Sequence, residues 1–161
     1  MKDLDSYLND HLAGSISALE LIAHWVEVHK DEPLGRFFVE TEREIKADQD
    51  TLRDIMRTLG VEESKVRQAA AWAAEKVGRA GLMIAGDEQG SLGLVLTLDG
   101  LIMGVTGKKL LWRALAAAKL PELNSYNFEQ LQGRAEQQVE RIEAERISAV
   151  RQVFAGVIRS K

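Results

Sequence analysis

The amino-acid sequence predicts an all-α fold: four long helices in two antiparallel hairpins, with an additional helix in the long connection between the hairpins. Three observations lead there. Apolar residues recur at steps of three and four through most of the chain, and no run alternates with the period of two that a half-buried strand requires. The 2 prolines fall between those periodic runs and not inside them. About thirty residues separate the second periodic run from the next strongly apolar one, too long for a hairpin turn and long enough for a helix to run back along a bundle.

The first helix is expected from about Leu4 to Val28, with Leu12, Ile16, Leu19, Ala23 and Val26 on one face. Asp31, Glu32 and Pro33 then mark a tight connection, because proline suits a helix start, where its missing N–H costs nothing. The second helix runs from Pro33 to Leu59. Its stripe of Leu34, Phe38, Thr41, Ile45, Asp48, Leu52, Ile55 and Leu59 keeps a heptad spacing that sets Asp48 among apolar neighbours, and Gly60 supplies the stop. So short a connection makes the two helices antiparallel neighbours, each about 40 Å long.

The crossover helix is expected from Ser64 to Gly86, with a shallow face of Val66, Ala69, Ala70, Trp72, Ala73 and Val77. Gly86 to Gly93 reads as a loop, with Asp87 and Ser91 as candidate N-caps. The most apolar stretch follows, Leu92 to Leu115, whose first sixteen residues hold a single charge, Asp99. A helix apolar on every side is either buried on most sides or inserted in a membrane. An acid midway along a run shorter than the roughly 20 residues that span a bilayer favours a protein interior. This third core helix extends to about Lys119. Pro121 and the sequence NSYN break the chain again, and Asn127 with Gln130 resembles a capping box. The last helix runs from Phe128 to near Ile158, apolar along Leu131, Ala135, Val139, Ile142 and Val150, and densely charged on its outer face.

The 161 residues suit one domain, 1–161, large enough for a single core. A net charge of −4 with both signs interspersed argues against a nucleic-acid-binding surface. With no cysteine, disulfides, thiolate metal ligands and thiol nucleophiles are excluded. The acidic N-terminus MKDLDSYLND has no basic segment followed by an apolar core, so the expected location is the cytoplasm, with no membrane partner.

The candidate site residues are acids near the apolar stripes: Glu20, Glu44, Asp48, Asp99 and Glu145, the last near Gln138. Carboxylates converging in a dry bundle core need a cation, a proton or a hydrogen-bond network, so they are either metal ligands or internally paired, partly solvated groups. Glu20 and His24 stand four apart on one helix face. They would chelate a metal together with Asp48 or Asp99, or else hydrogen-bond to each other with the imidazole exposed. His11 and His29 fall near helix ends and read as surface residues.

Three further features have bland readings. Gly100, Gly104 and Gly107 on neighbouring turns read as small residues for close helix packing, since the phosphate-loop pattern fails at Ile102 and Lys109. Lys108, Lys109, Arg113 and Lys119 with Trp112 would meet an anionic partner or simply be cations toward a helix C-terminus. Trp25, Trp72 and Trp112 read as core or helix-contact residues. No Gly-x-Ser-x-Gly elbow occurs, and the three histidines all lie on the first helix, so no nucleophile and base pairing follows.

The stretches LTLDGLIMGVTGKKLLWRAL and WAAEKVGRAGL resemble a group of small bacterial four-helix-bundle proteins in the ferritin-like superfamily, and the resemblance covers nearly the whole chain. It implies two hairpins joined by one long crossover, with helix-borne carboxylates facing inward. Asp99 takes the place of the acid on the third core helix, and Glu20 the place of the acid on the first. A ferritin-like di-iron or di-manganese site takes Glu-x-x-His on two helices. Here Leu8, Leu21 and Val26 precede the histidines by three, and Ala47 stands where a histidine would follow Glu44. The di-metal site is therefore degenerate. The expectation is a binding or structural protein and not an enzyme, without cofactor or bound metal, self-associating as a homo-oligomer such as a dimer, and with no identifiable small molecule. The alternative is a carboxylate-rich iron or manganese redox protein using Glu20, His24, Asp48 and Asp99 in a non-standard site.

Overall fold

The computed structural model describes residues 2–63 and 91–158. The expected crossover helix, most of the loop before Gly93, and Trp72 lie outside the described residues. Among those described, the secondary structure is all helical: α1 (Lys2–Val28), α2 (Pro33–Thr58), α3 (Ser91–Ala118) and α4 (Phe128–Ile158), with a 3-10 turn at Pro121–Leu123. Ser91 already belongs to α3, so the expected loop is shorter at that end.

The joints follow from local chemistry. Pro33 opens α2, preceded by Glu32 in an extended conformation. Gly60 ends it at φ +68, and the N–H groups of Gly60 and Val61 donate to the carbonyls of Arg57 (3.1 Å) and Met56 (2.8 Å), the paired bonds of a Schellman motif. Asn127 Oδ1 accepts from the Gln130 N–H at 3.0 Å, which provides the expected N-cap of α4.

Helix directions can be read from the core. At one end Ile22 and Trp25, late in α1, pack with Phe38 and Ile45, early in α2, with Leu94 to Val105 of α3 and with Ile142 and Ala149, late in α4. At the other end Leu8 and Leu12 meet Leu52, Ile55 and Met56, together with Leu111, Trp112 and Leu115 of α3 and Leu131 of α4. Thus α1 is antiparallel to α2 and α3 to α4, while α2 and α3 run the same way. The hairpin partners approach most closely, and α1 also contacts α3. The Trp25 Nε1–H donates to Thr97 Oγ1 at 2.9 Å across that pair.

Two expectations about α3 are corrected. The helix is not buried on most sides, since Leu92, Leu96, Met103 and Leu110 on one face are each at least 50% exposed. Nor do its glycines pack closely against another described helix: among the described residues, a Cβ built on Gly100, Gly104 or Gly107 meets no atom within 4 Å. Among the described residues these glycines border open space. No helix among the described residues is long and apolar enough to cross a membrane.

Gly35 is the glycine that close packing does require. A Cβ there would lie 1.9 Å from the His29 carbonyl oxygen and 2.6 Å from its carbon, backbone atoms of the α1–α2 turn that have no rotamer to yield. Gly35→Ala is expected to cost about 1–3 kcal/mol. In a chain of this size that lowers Tm by roughly 2–12 °C, measurable by thermal circular dichroism.

Candidate functional site

The space beside Gly104 and Gly107 is a cavity of about 200 Å³ between α1 and α3, floored by α2. Its α3 wall comes from one helix face, with Leu101, Val105, Lys108 and Trp112 at steps of four, three and four. Ala18 of α1 and Ile45 and Leu52 of α2 complete the apolar part. Polar groups converge at the level of Asp48, and Asp10 and His11 come from the first half of α1.

Asp48 is the anchor of that polar end. Its side chain is 1% exposed and accepts from three donors: Lys108 Nζ of α3 at 2.5 Å, Gln138 Nε2 of α4 at 3.1 Å, and an Arg134 guanidinium N–H. Lys108 Nζ also donates to Gln138 Oε1. A buried carboxylate is tolerable when its lone pairs are satisfied by cations and amides, and this one is. Burial pushes the Lys108 ammonium below the ordinary lysine value, while the Asp48 charge and hydrogen bond oppose that shift. Beside this group Gln49 Nε2 donates to Ser15 Oγ at 2.9 Å, the Ser15 hydroxyl donates to the Leu12 carbonyl at 2.7 Å, and Gln49 Oε1 accepts from Arg53 at 2.6 Å.

His11 differs from its expected place at the surface. It is half-buried in the cavity wall, edge-on to Tyr7 with ring centroids 4.6 Å apart. Burial lowers its pKa below 6.5, and the neighbouring Asp10 charge opposes the shift. Between that lowered value and about 6.5 the unfolded chain binds more protons than the folded one, so stability rises with pH through the window. Unfolding measured across it should show this rise, and His11→Gln should flatten it.

The sequence-derived metal candidates do not come together. Asp99 is on the α3–α4 side, 37% exposed, and bound to Arg146, whose pKa that carboxylate raises. Lys108, the partner of Asp48, stands nine residues and about 13 Å further along α3. Glu20 and His24 are half-buried on α1. His24 Nε2 is buried with no hydrogen-bond partner among the described residues, so that nitrogen neither bonds to Glu20 nor faces solvent as expected. Glu44 pairs with Arg141, and Glu145 is half-buried on α4. Among the described residues no three His, Asp or Glu side chains are placed to share an ion. With Asp48 and Asp99 already neutralised by lysine and arginine, this donor set does not fit a dinuclear metal centre.

Sequence reasoning passed over Lys108 as a site residue, treating it as part of a surface basic cluster. The signal was present: Leu101, Val105, Lys108, Trp112 and Leu115 form a heptad stripe, and a lysine on a buried stripe requires an anion such as Asp48. Asp48 is fully occupied by donors, and the Ser15 hydroxyl proton is held by a backbone carbonyl and not by a base. No protein-family model, curated protein or solved structure matches the chain.

Proposed function

We propose that the protein is a ferritin-like bundle that acts by binding, with the cavity between α1 and α3 receiving one small, mainly apolar molecule in place of a dinuclear metal centre. The order of helix directions, two hairpins with α2 and α3 parallel, supports the ferritin-like part of this reading. The observation that carries the binding part is the cavity itself, walled by apolar side chains of three helices with polar groups of Ser15, Asp48, Gln49 and Lys108 among them, the usual make-up of a small-molecule site. At about 200 Å³ it suits a single ring with a short substituent, since apolar cavities of about 150 Å³ admit benzene.

Thermal unfolding with ethylbenzene tests the proposal. At about ten times Kd, one-site binding to the folded state adds roughly 1.4 kcal/mol, a rise of about 3–6 °C in Tm. Gly104→Leu projects a side chain into the open space beside Leu101 and Lys108 and should abolish the rise. An unchanged Tm in the parent protein, or an equal rise in the Gly104→Leu variant, would defeat the proposal.

A further inference from the structure

Two partners of Asp48, Arg134 and Gln138, also line a second hollow, an open cleft of about 220 Å³ between α2 and α4 that Glu44, Ala47, Gln137 and Arg141 complete. We infer that this cleft binds a small phosphate monoester. The arginines carry the argument. Arg134 and Arg141 stand seven residues apart on one side of α4, about 10.5 Å along its axis. Their guanidinium groups bond to Asp48 and Glu44, which are four residues and about 6 Å apart along α2. The charged ends of the two side chains are therefore closer together than their roots. A hydrogen bond of about 2.8 Å to each, with one phosphate group between them, covers that separation.

The surrounding groups suit such an anion. A guanidinium presents five N–H donors in a planar fork, and each arginine uses one nitrogen on its α2 carboxylate. The same forks have further N–H groups, and Gln137 and Gln138, on the turn between the arginines, add amides to the lining. Ala47, between Glu44 and Asp48, offers only a methyl group on the α2 side and so leaves the space open.

Charge and shape select the class of ligand. Among the described residues the lining holds two guanidinium groups and one carboxylate, which favours an anion over a cation. A carboxylate ligand is satisfied bidentately by one guanidinium and gives the other arginine nothing. A phosphate monoester carries about −1.5 to −2 charge near pH 7 and three strong acceptor oxygens, enough for both arginines. The volume leaves room for a few carbon atoms beside the phosphate. Glu44 works with the fold and against the ligand: it holds Arg141 across the helix pair, while its own charge repels a dianion.

The test compares glycerol phosphate, glycerate and glycerol, titrated against the full-length protein at constant ionic strength, with ligand-observed NMR giving Kd. Fixed ionic strength keeps general screening the same for all three. Glycerol phosphate is expected to bind at least about fivefold tighter than glycerate, and glycerol to bind weakest. Arg141→Gln should weaken glycerol phosphate binding about fivefold, and Glu44→Gln should tighten it about threefold. Both variants break the same ion pair, in which Arg141 is half-exposed. A rung that only joins α2 to α4 would therefore shift both in the same direction, as would general loss of structure. Opposite signs support a phosphate site. No binding of glycerol phosphate, an affinity no better than that of glycerate, parent-like binding by Arg141→Gln, or a Glu44→Gln variant that binds no tighter than the parent overturns the inference.

Discussion

Asp48→Ala is expected to destabilise the fold by about 3–5 kcal/mol, because breaking a buried ion pair by removing one partner leaves an uncompensated charge behind. The stranded charge is that of Lys108, whose side chain is 14% exposed and which would keep only the Gln138 amide oxygen. Arg134 contributes less. At 41% exposed it can turn toward solvent, so the lower part of the range is the better guide. Chemical denaturation should show the loss directly, and Tm should fall by about 6–12 °C for 3 kcal/mol.

The same variant has a distinctive pH dependence. In the parent protein the Asp48 charge and hydrogen bond hold the Lys108 pKa up against burial. Without them it falls further below the ordinary value of 10.5. Wherever the folded lysine is neutral and the unfolded one protonated, the unfolded state binds more protons and stability rises with pH. The deficit of the Asp48→Ala variant should therefore narrow as pH rises through the interval between the variant's Lys108 pKa and the higher one that Asp48 maintains in the parent. A deficit that stays constant would show that the lost energy comes from packing and not from the stranded ammonium. Asp48→Leu combined with Lys108→Met supplies the complementary result. Replacing both partners by apolar groups of similar volume is often neutral or stabilising, so the double variant should be more stable than Asp48→Ala.

Asp48 also marks how far the sequence could be read. Its position on the α2 stripe was legible, because a heptad is a property of one helix and needs no knowledge of neighbours. Its partners were not. Lys108 and Arg134 are 60 and 86 residues away, and only the rotation of α3 and α4 about their axes decides which cations reach it. Asp99 makes the opposite case. It stands in an apolar run that implied a core acid, yet helix rotation places it beside Arg146 near the surface, while Leu92, Leu96, Met103 and Leu110 face outward. A nearly uniform apolar helix carries little information about which side is in, so periodicity could not orient it. The cavity was hidden for a related reason. Gly104 and Gly107 read as packing residues, and whether a missing side chain admits a neighbouring helix or leaves a hole depends on the spacing between α1 and α3. Caps and breaks are different in kind. Gly60, Pro33 and Asn127 act through bonds within a few residues, and each could be placed from the local sequence.

Trp25→Ala is expected to cost about 3–5 kcal/mol, the ordinary loss for deleting a buried tryptophan. Trp25 is 2% exposed and forms a joint between helices: its ring stacks on Phe38 of α2 with centroids 5.8 Å apart and on His29 at 5.5 Å, while its N–H reaches Thr97 of α3. Removing the ring leaves a cavity between the two hairpins and strips Thr97, itself 5% exposed, of its donor. Trp25→Phe separates the two losses. Phenylalanine keeps an aromatic surface for Phe38 and gives up the hydrogen bond and some volume, so its cost should be well below that of alanine, about 1–2 kcal/mol. Adding Thr97→Val to Trp25→Phe should recover part of that cost, because a valine in the same space needs no donor. Urea denaturation of the four proteins, the parent and these three variants, measures each step. If Trp25→Phe proves as costly as Trp25→Ala, the hydrogen bond to α3 outweighs the stack on α2 as the joint between the hairpins.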